Sequence, residues 1–134
     1  KYAYNYTGGR ILIVDSVRES LALHLKTIFT KARVGVGGNA TDPSATNLDV
    51  PIYSISASSS TSEGNVIDFK FTLLGSSVAG YAIREIGIFN GAYNNVAGTS
   101  IAEYTEMLSR ITFDGIGPFA SGEEIDFYIT IEVE

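Results

Sequence analysis

Apolar and polar positions alternate most cleanly in two segments. Ile67, Phe69, Phe71 and Leu73 alternate with Asp68, Lys70 and Thr72; Ile125, Phe127, Ile129, Ile131 and Val133 alternate with Asp126, Tyr128, Thr130 and Glu132. A period of two puts one set of side chains on each face of a strand, so both segments predict half-buried strands. Between residues 16 and 31 the period changes. Val17, Leu21, Leu25, Ile28 and Phe29 recur at helical spacing and predict one apolar stripe on a helix. Ser16 with Glu19 three residues on reads as a capping box, worth about 1 kcal/mol at the cap. Lys26 and Lys31 fall toward the C-terminal end, where positive charge suits the helix dipole.

The remaining pattern is that of further β-structure. Tyr2, Tyr4 and Tyr6 alternate with Ala3 and Asn5 until Thr7-Gly8-Gly9, so residues 1–9 form either an edge strand or an arm that pairs with another subunit. Arg10 to Val14 is a short buried strand or the lead-in to the helix. Val34 to Gly38 leads into a small, polar loop from Asn39 to Asn47, and Pro51 limits the next strand to an edge or a strand start. Ser54 to Ser62, with Ile55 alone supplying bulk, reads as a flexible or solvent-facing segment. Ala79 to Asn90 predicts a third strand, turned by Gly91 to Asn95 into a fourth at about 96–104. Ile101 to Leu108 fits strand or short helix, and Ile111 to Phe113 one more strand before a turn region from Gly115 to Gly122. One helix followed by six or more strands gives a mostly β, or α+β, fold. The expectation is a single domain over 1–134, an antiparallel β-sandwich with the helix at about 16–31 packed on it.

Composition narrows the function classes. With 45% hydrophobic and 18% charged residues the chain has the make-up of a globular protein, and its seven Phe and eight Tyr suit strands. It has no cysteine, hence neither a disulfide framework nor a thiolate metal site. No apolar run approaches the length of a membrane helix, and no membrane partner is expected. The first residue is Lys, so the chain is taken as processed or trimmed, with no targeting signal assigned. Charge is split: residues 1–33 carry six basic against two acidic side chains, and residues 34–134 three against thirteen, for a net charge of −6. Such a split suits contact between the basic part of one subunit and the acidic body of another, or two separately solvated faces. The acidic total argues against nucleic acid as a partner.

Little in the chain points to catalysis. There is no Gly-x-Ser-x-Gly elbow, and the single histidine, His24, falls mid-helix. Gly35-x-Gly37-Gly38 lacks the Gly-Lys-Ser/Thr and the helix of a phosphate loop, and its glycines read as turn formers with positive φ. Asn39, Asp42, Asn47 and Asp49 lack the spacing of a calcium loop and read as turn residues. Glu103, Glu106, Glu123 and Glu124 are the carboxylates a glycosidase would draw on, but Glu123, Glu124 and Asp126 read as a solvated cluster protecting a strand entrance. No catalytic residue, cofactor or metal site is expected.

The most informative run is Ile83-Arg84-Glu85-Ile86-Gly87-Ile88-Phe89-Asn90, two charges inside an apolar strand. Neighbours on a strand point to opposite faces, so Arg84 and Glu85 cannot easily pair with each other. One faces inward and needs a partner, either in a network internal to the fold or on an adjoining subunit.

Two segments together resemble a known family. Val34-Gly35-Val36-Gly37-Gly38-Asn39, then Pro43 and Leu48-Asp49-Val50-Pro51-Ile52, is similar to the glycine-rich loop and following strand of tailed-phage tail-collar fibre proteins. Ile83 to Asn90 resembles that family's Arg-Glu-containing strand, and Val96 to Glu103 its next turn and small-residue strand; the order agrees across roughly residues 15–134. The resemblance implies a non-enzymatic virion structural protein, an oligomeric attachment module, most simply a trimer, that meets other virion proteins at a tail fibre, collar or neck. In that family a shaft and receptor-binding tip follow; here the sequence given stops at Glu134, which shifts the expectation to attachment or to capsid decoration. Tyr2, Tyr4, Tyr6, Arg10, Arg84 and Glu85 are the partner-binding residues expected on this reading. The alternative from another class is a carbohydrate-binding β-sandwich module, with Tyr81, Tyr93 and Tyr104 as aromatic platforms.

Overall fold

The computed structural model describes residues 13–91, 94–96, 99–101 and 105–134. Helix α1 (Asp15–Ile28) is followed by β1 (Lys31–Gly35), β2 (Pro51–Glu63), β3 (Val66–Leu74), a 3-10 turn (Gly75–Val78) and β4 (Ile83–Phe89). Two short strands, β5 (Asn94–Val96) and β6 (Thr99–Ile101), pair with each other, and β7 (Met107–Ile116) and β8 (Glu124–Glu132) complete the chain. The fold is mostly antiparallel β with one N-terminal helix. The other six strands form one sheet in the order β7-β4-β1-β2-β3-β8.

The curl of that sheet comes from β2. Its first half, through Ser56, pairs with β1, and its second half, from Ala57, with β3; the register shifts between Ala57 and Ser59. A bulge bends a strand and raises its twist. The bend folds the sheet onto itself, so that Phe113 of β7 and Phe127 of β8, on opposite edge strands, bring their rings to 6.3 Å. The two layers of the expected sandwich are thus halves of one sheet. The serine-rich segment expected to be flexible or solvent-facing is a strand between β1 and β3: small side chains let a strand bend while its backbone stays paired.

Between the layers lie Ala32, Val34, Ile55, Ile86 and Ile88 from one half and Ile67, Phe69, Phe71, Leu73 and Ile129 from the other. The alternation read in β3 and β8 is present: Ile67, Phe69, Phe71 and Leu73 face inward opposite Ile131, Ile129, Phe127 and Ile125. Burying each large side chain contributes about 2 kcal/mol. Pro51 starts β2, as expected. Gly64, with φ of +58°, opens the two-residue turn between Glu63 and Val66, a place that favours glycine.

The helix departs from the reading in three ways. It runs from Asp15 to Ile28 rather than to 31, and Lys31 begins β1, where its ammonium donates to Ser56 Oγ at 2.6 Å. The capping box does not form: Val14 is the N-cap and no side chain caps the helix, while Asp15 sits in the first turn and pairs with Arg18. Third, only Leu25 and the C-cap Phe29 of the expected stripe pack on the sheet, together with Ala22, whereas Val17, Leu21 and Ile28 are exposed. The small Ala22 lets the helix backbone approach the sheet, and this turns the larger residues to one side.

Candidate functional site

The two resembling segments meet on the face of the sheet opposite the helix. In β1 and β4 the pairs Gly35–Glu85, Arg33–Gly87 and Lys31–Phe89 are in register, and Arg110 of β7 pairs with Gly87 from the other side. As expected, Arg84 and Glu85 point to opposite faces: Arg84 is exposed and Glu85 is 0% exposed. Of the two readings left open for the inward charge, a network internal to the fold is the one found.

Glu85 is the centre of that network. Its Oε2 accepts the backbone N–H groups of Gly37 (2.7 Å) and Val50 (2.9 Å). Its Oε1 accepts the N–H of Asp49 (2.8 Å) and Nε–H of Arg110 (3.0 Å). A buried carboxylate is costly, and four donors with an adjacent guanidinium offset that cost. Gly37 lies at one end of the loop from Val36 to Val50, and Asp49 and Val50 lie at the other, so one carboxylate ties both ends together. Val36 N–H donating to the Val50 carbonyl at 3.1 Å closes it further. The result is a compact Ω-type loop.

Two arginines fasten the loop elsewhere. Arg110 Nη1 donates to the Asn39 carbonyl (2.7 Å) and to Thr41 Oγ1 (2.6 Å), and its Nη2 lies 3.9 Å from Asp49 Oδ2. Arg33, 1% exposed, donates to Asn47 Oδ1 at 3.1 Å and to Thr105 Oγ1, with its guanidinium carbon 3.9 Å from the centre of the Phe89 ring. Leu48 is buried beneath the loop, where a Cβ on Gly87 would come within 3.0 Å of its Cδ2.

This geometry corrects the reading of the glycines. Among the described residues positive φ occurs at Gly64, Gly80 and Gly117, not at Gly35 or Gly37. Gly35 and Gly37 are needed for close approach: an added Cβ would lie 2.7 and 2.6 Å from Glu85 Oε2, and closer still to the Val50 carbonyl oxygen and the Asp49 Cβ respectively. Of the Asx residues read as turn formers, Asp42 acts in a turn, whereas Asp49 accepts across the loop and Asn47 accepts from Arg33. Asp42 accepts the Ser44 hydroxyl and, at 2.8 Å, the Ser44 N–H; Asp49 accepts the Asn39 N–H at 3.0 Å. The Ser44 hydroxyl, and then its N–H, hold the Asp42 carboxyl below its ordinary pKa.

The outer surface of the site is the loop crest, Gly38 to Ser44, all exposed. Beside it lies Arg84, whose Nη2 would be 3.2 Å from a Cβ placed on Gly38. Among the described residues the Arg84 side chain has no hydrogen-bond or ion-pair partner. A shallow depression of about 210 Å3, lined by Ala45, Thr46, Thr105, Glu106 and Met107, flanks the loop. No group of three His, Cys, Asp or Glu side chains is placed to hold a metal ion among the described residues, and none of their helices is long and apolar enough to cross a membrane.

Of the other residues expected at a partner surface, Tyr2, Tyr4, Tyr6 and Arg10 lie outside the described residues, as do Tyr93 and Tyr104; Tyr81 is exposed. Arg33 and Arg110 were missed. Arg33 stands in the apolar run Ala32-Arg33-Val34, the same cue that singled out Glu85, whereas Arg110 between Ser109 and Ile111 carries no such cue. No protein-family model matches the chain, and no curated protein does.

Proposed function

We propose that this protein is a non-enzymatic structural component of a tailed-phage-like particle, an oligomeric attachment module for a tail fibre, collar or neck. The supporting observation is that the two segments carrying the resemblance are one physical unit. Gly35, Gly37, Asp49 and Val50 from the first are packed around or bonded to Glu85 from the second. A loop clasped at both ends presents a fixed crest, which suits docking because little conformational entropy is lost on binding. Arg84 beside that crest supplies the positive charge for an acidic partner surface.

On this reading the partners are copies of the chain itself, most simply three, and other virion proteins, and the site of action is the virion. The test is the copy number of the chain in purified particles, by quantitative mass spectrometry against the major shell protein. A handful of copies, in multiples of three or six, supports attachment at neck, collar or tail. Hundreds of copies replace it with capsid decoration. Absence from the particle overturns the virion reading and favours a carbohydrate-binding module.

A further inference from the structure

The outer edge of β8 is open. Among the described residues β8 pairs with β3 and with no strand on its other side, so alternate N–H and C=O groups along it lack a partner. Its inner face is incomplete as well. On β3 the inward row Ile67, Phe69, Phe71 and Leu73 is 0–2% exposed, whereas on β8 only Ile129 is buried and Ile125, Phe127 and Ile131 are half-buried. Acids stand at both ends of this edge, Glu123 and Glu124 at one and Glu132 and Glu134 at the other, all exposed. None of the four has an ion-pair partner among the described residues.

We propose that residues 2–6, which precede the described part of the chain, add to the β8 edge of the same copy as a parallel strand, with Tyr2, Tyr4 and Tyr6 beside Ile125, Phe127 and Ile129. The two-residue period puts the three tyrosines on one face, where their rings cover the half-buried row and their hydroxyls reach water at the rim. Charge selects the edge. Residues 1–10 carry Lys1 and Arg10 and no acid, and in this register Lys1 falls beside Glu124 and Arg10 between Glu132 and Glu134. The other open edge, β7, offers Asp114 as its one acid and carries Arg110 as well.

Both ends of β8 are acidic, so charge does not set the direction; the tether does. Asp15, Arg18 and Glu19 of α1 border one surface depression with Asn65. The Asn65 carbonyl accepts the Val133 N–H at 2.8 Å, and Asn65 Nδ2 donates to the Val133 carbonyl at 2.9 Å. The helix therefore starts beside the C-terminal end of β8, and a segment laid back from it along the edge runs parallel to β8. Extended, residues 1–12 reach about 40 Å. The nine residues of β8 need roughly 30 Å. A covered edge cannot pair with another chain, so this strap guards β8 against edge-to-edge association. The placement does not rest on the virion reading.

The chain has no cysteine, so paired cysteines report the register directly. In the proposed register Ala3 lies beside Asp126, with Cα atoms about 4.8 Å apart and within disulfide range. Under mild oxidation of the full chain, Ala3→Cys with Asp126→Cys is expected to close a disulfide within one copy, and Ala3→Cys with Thr130→Cys to stay reduced. Linking of the Thr130 pair instead marks antiparallel addition, linking between two copies marks exchange, and no linking leaves the edge uncovered; each of these overturns the proposal. Hydrogen exchange tests the unaltered chain. The β8 amides that point away from β3 are expected to be protected, and to lose that protection when Tyr2, Tyr4 and Tyr6 are all replaced by Ser, while amides bonded to β3 keep theirs. Fast exchange of the outward amides in the parent would overturn the strap.

Discussion

Glu85 and Arg110 stand on adjacent strands with the Arg110 Nε–H donating to Glu85 Oε1 at 3.0 Å, and both side chains are withdrawn from water. The pair does more than neutralise charge. Glu85 takes three backbone N–H groups from the two ends of the 36–50 loop, while Arg110 reaches its middle at Asn39 and Thr41. Loop and sheet are therefore held by one connected polar network, and each member depends on the others.

Removing the acid should be severe. Glu85→Ala leaves three N–H groups and a buried guanidinium without their acceptor, so a loss of about 3–5 kcal/mol is expected. Urea unfolding would read it as a lower midpoint. Arg110→Ala should cost less than Glu85→Ala, because the three backbone bonds to the carboxylate remain.

The glycines should be intolerant for steric reasons alone. Gly35→Ala and Gly37→Ala place a Cβ against Glu85 Oε2 and against a backbone carbonyl or the Asp49 side chain. Overpacking of this kind costs about 1–3 kcal/mol. Limited proteolysis should then cut within residues 39–47 faster than in the parent, whereas Gly122→Ala, where no atom lies within 4 Å of the added carbon, should behave as the parent does.

Arginine at position 33 should not be replaceable by lysine. The planar guanidinium stacks on Phe89 while its nitrogens reach Asn47 and Thr105, a geometry that one ammonium cannot reproduce. Arg33→Lys is expected to lower thermal stability nearly as much as Arg33→Ala, by about 2 kcal/mol or more. Recovery of most of the parent melting temperature in Arg33→Lys would show that charge alone suffices.

The turn at Asp42 should weaken in acid. Hydrogen bonds from the Ser44 hydroxyl and then its N–H lower the Asp42 pKa from its ordinary 3.8. A depressed carboxyl contributes stability that is present above its unfolded pKa and is lost as pH falls through the folded one. Ser44→Ala should move the Asp42 pKa back toward 3.8, as measured by NMR titration of the side chain. An unchanged titration would remove the hydroxyl as the main cause.

What sequence alone determined is what depends on neighbours along the chain. The two-residue alternation of β3 and β8, the presence of a helix after residue 14, and the opposite pointing of Arg84 and Glu85 all follow from local geometry, and the structure has them. Tertiary structure decided everything that needs a partner from far along the chain. Glu85 finds Gly37 at a separation of 48 residues and Arg110 at 25, because the order β7-β4-β1 sets these strands side by side. The serine-rich β2 is a strand because β1 and β3 supply its hydrogen bonds, and its own side chains give little sign of that. The helix stripe looked like a core face because periodicity reports amphipathicity and not which sector is used. The close fit of Ala22 to the sheet settled that, leaving Val17, Leu21 and Ile28 exposed.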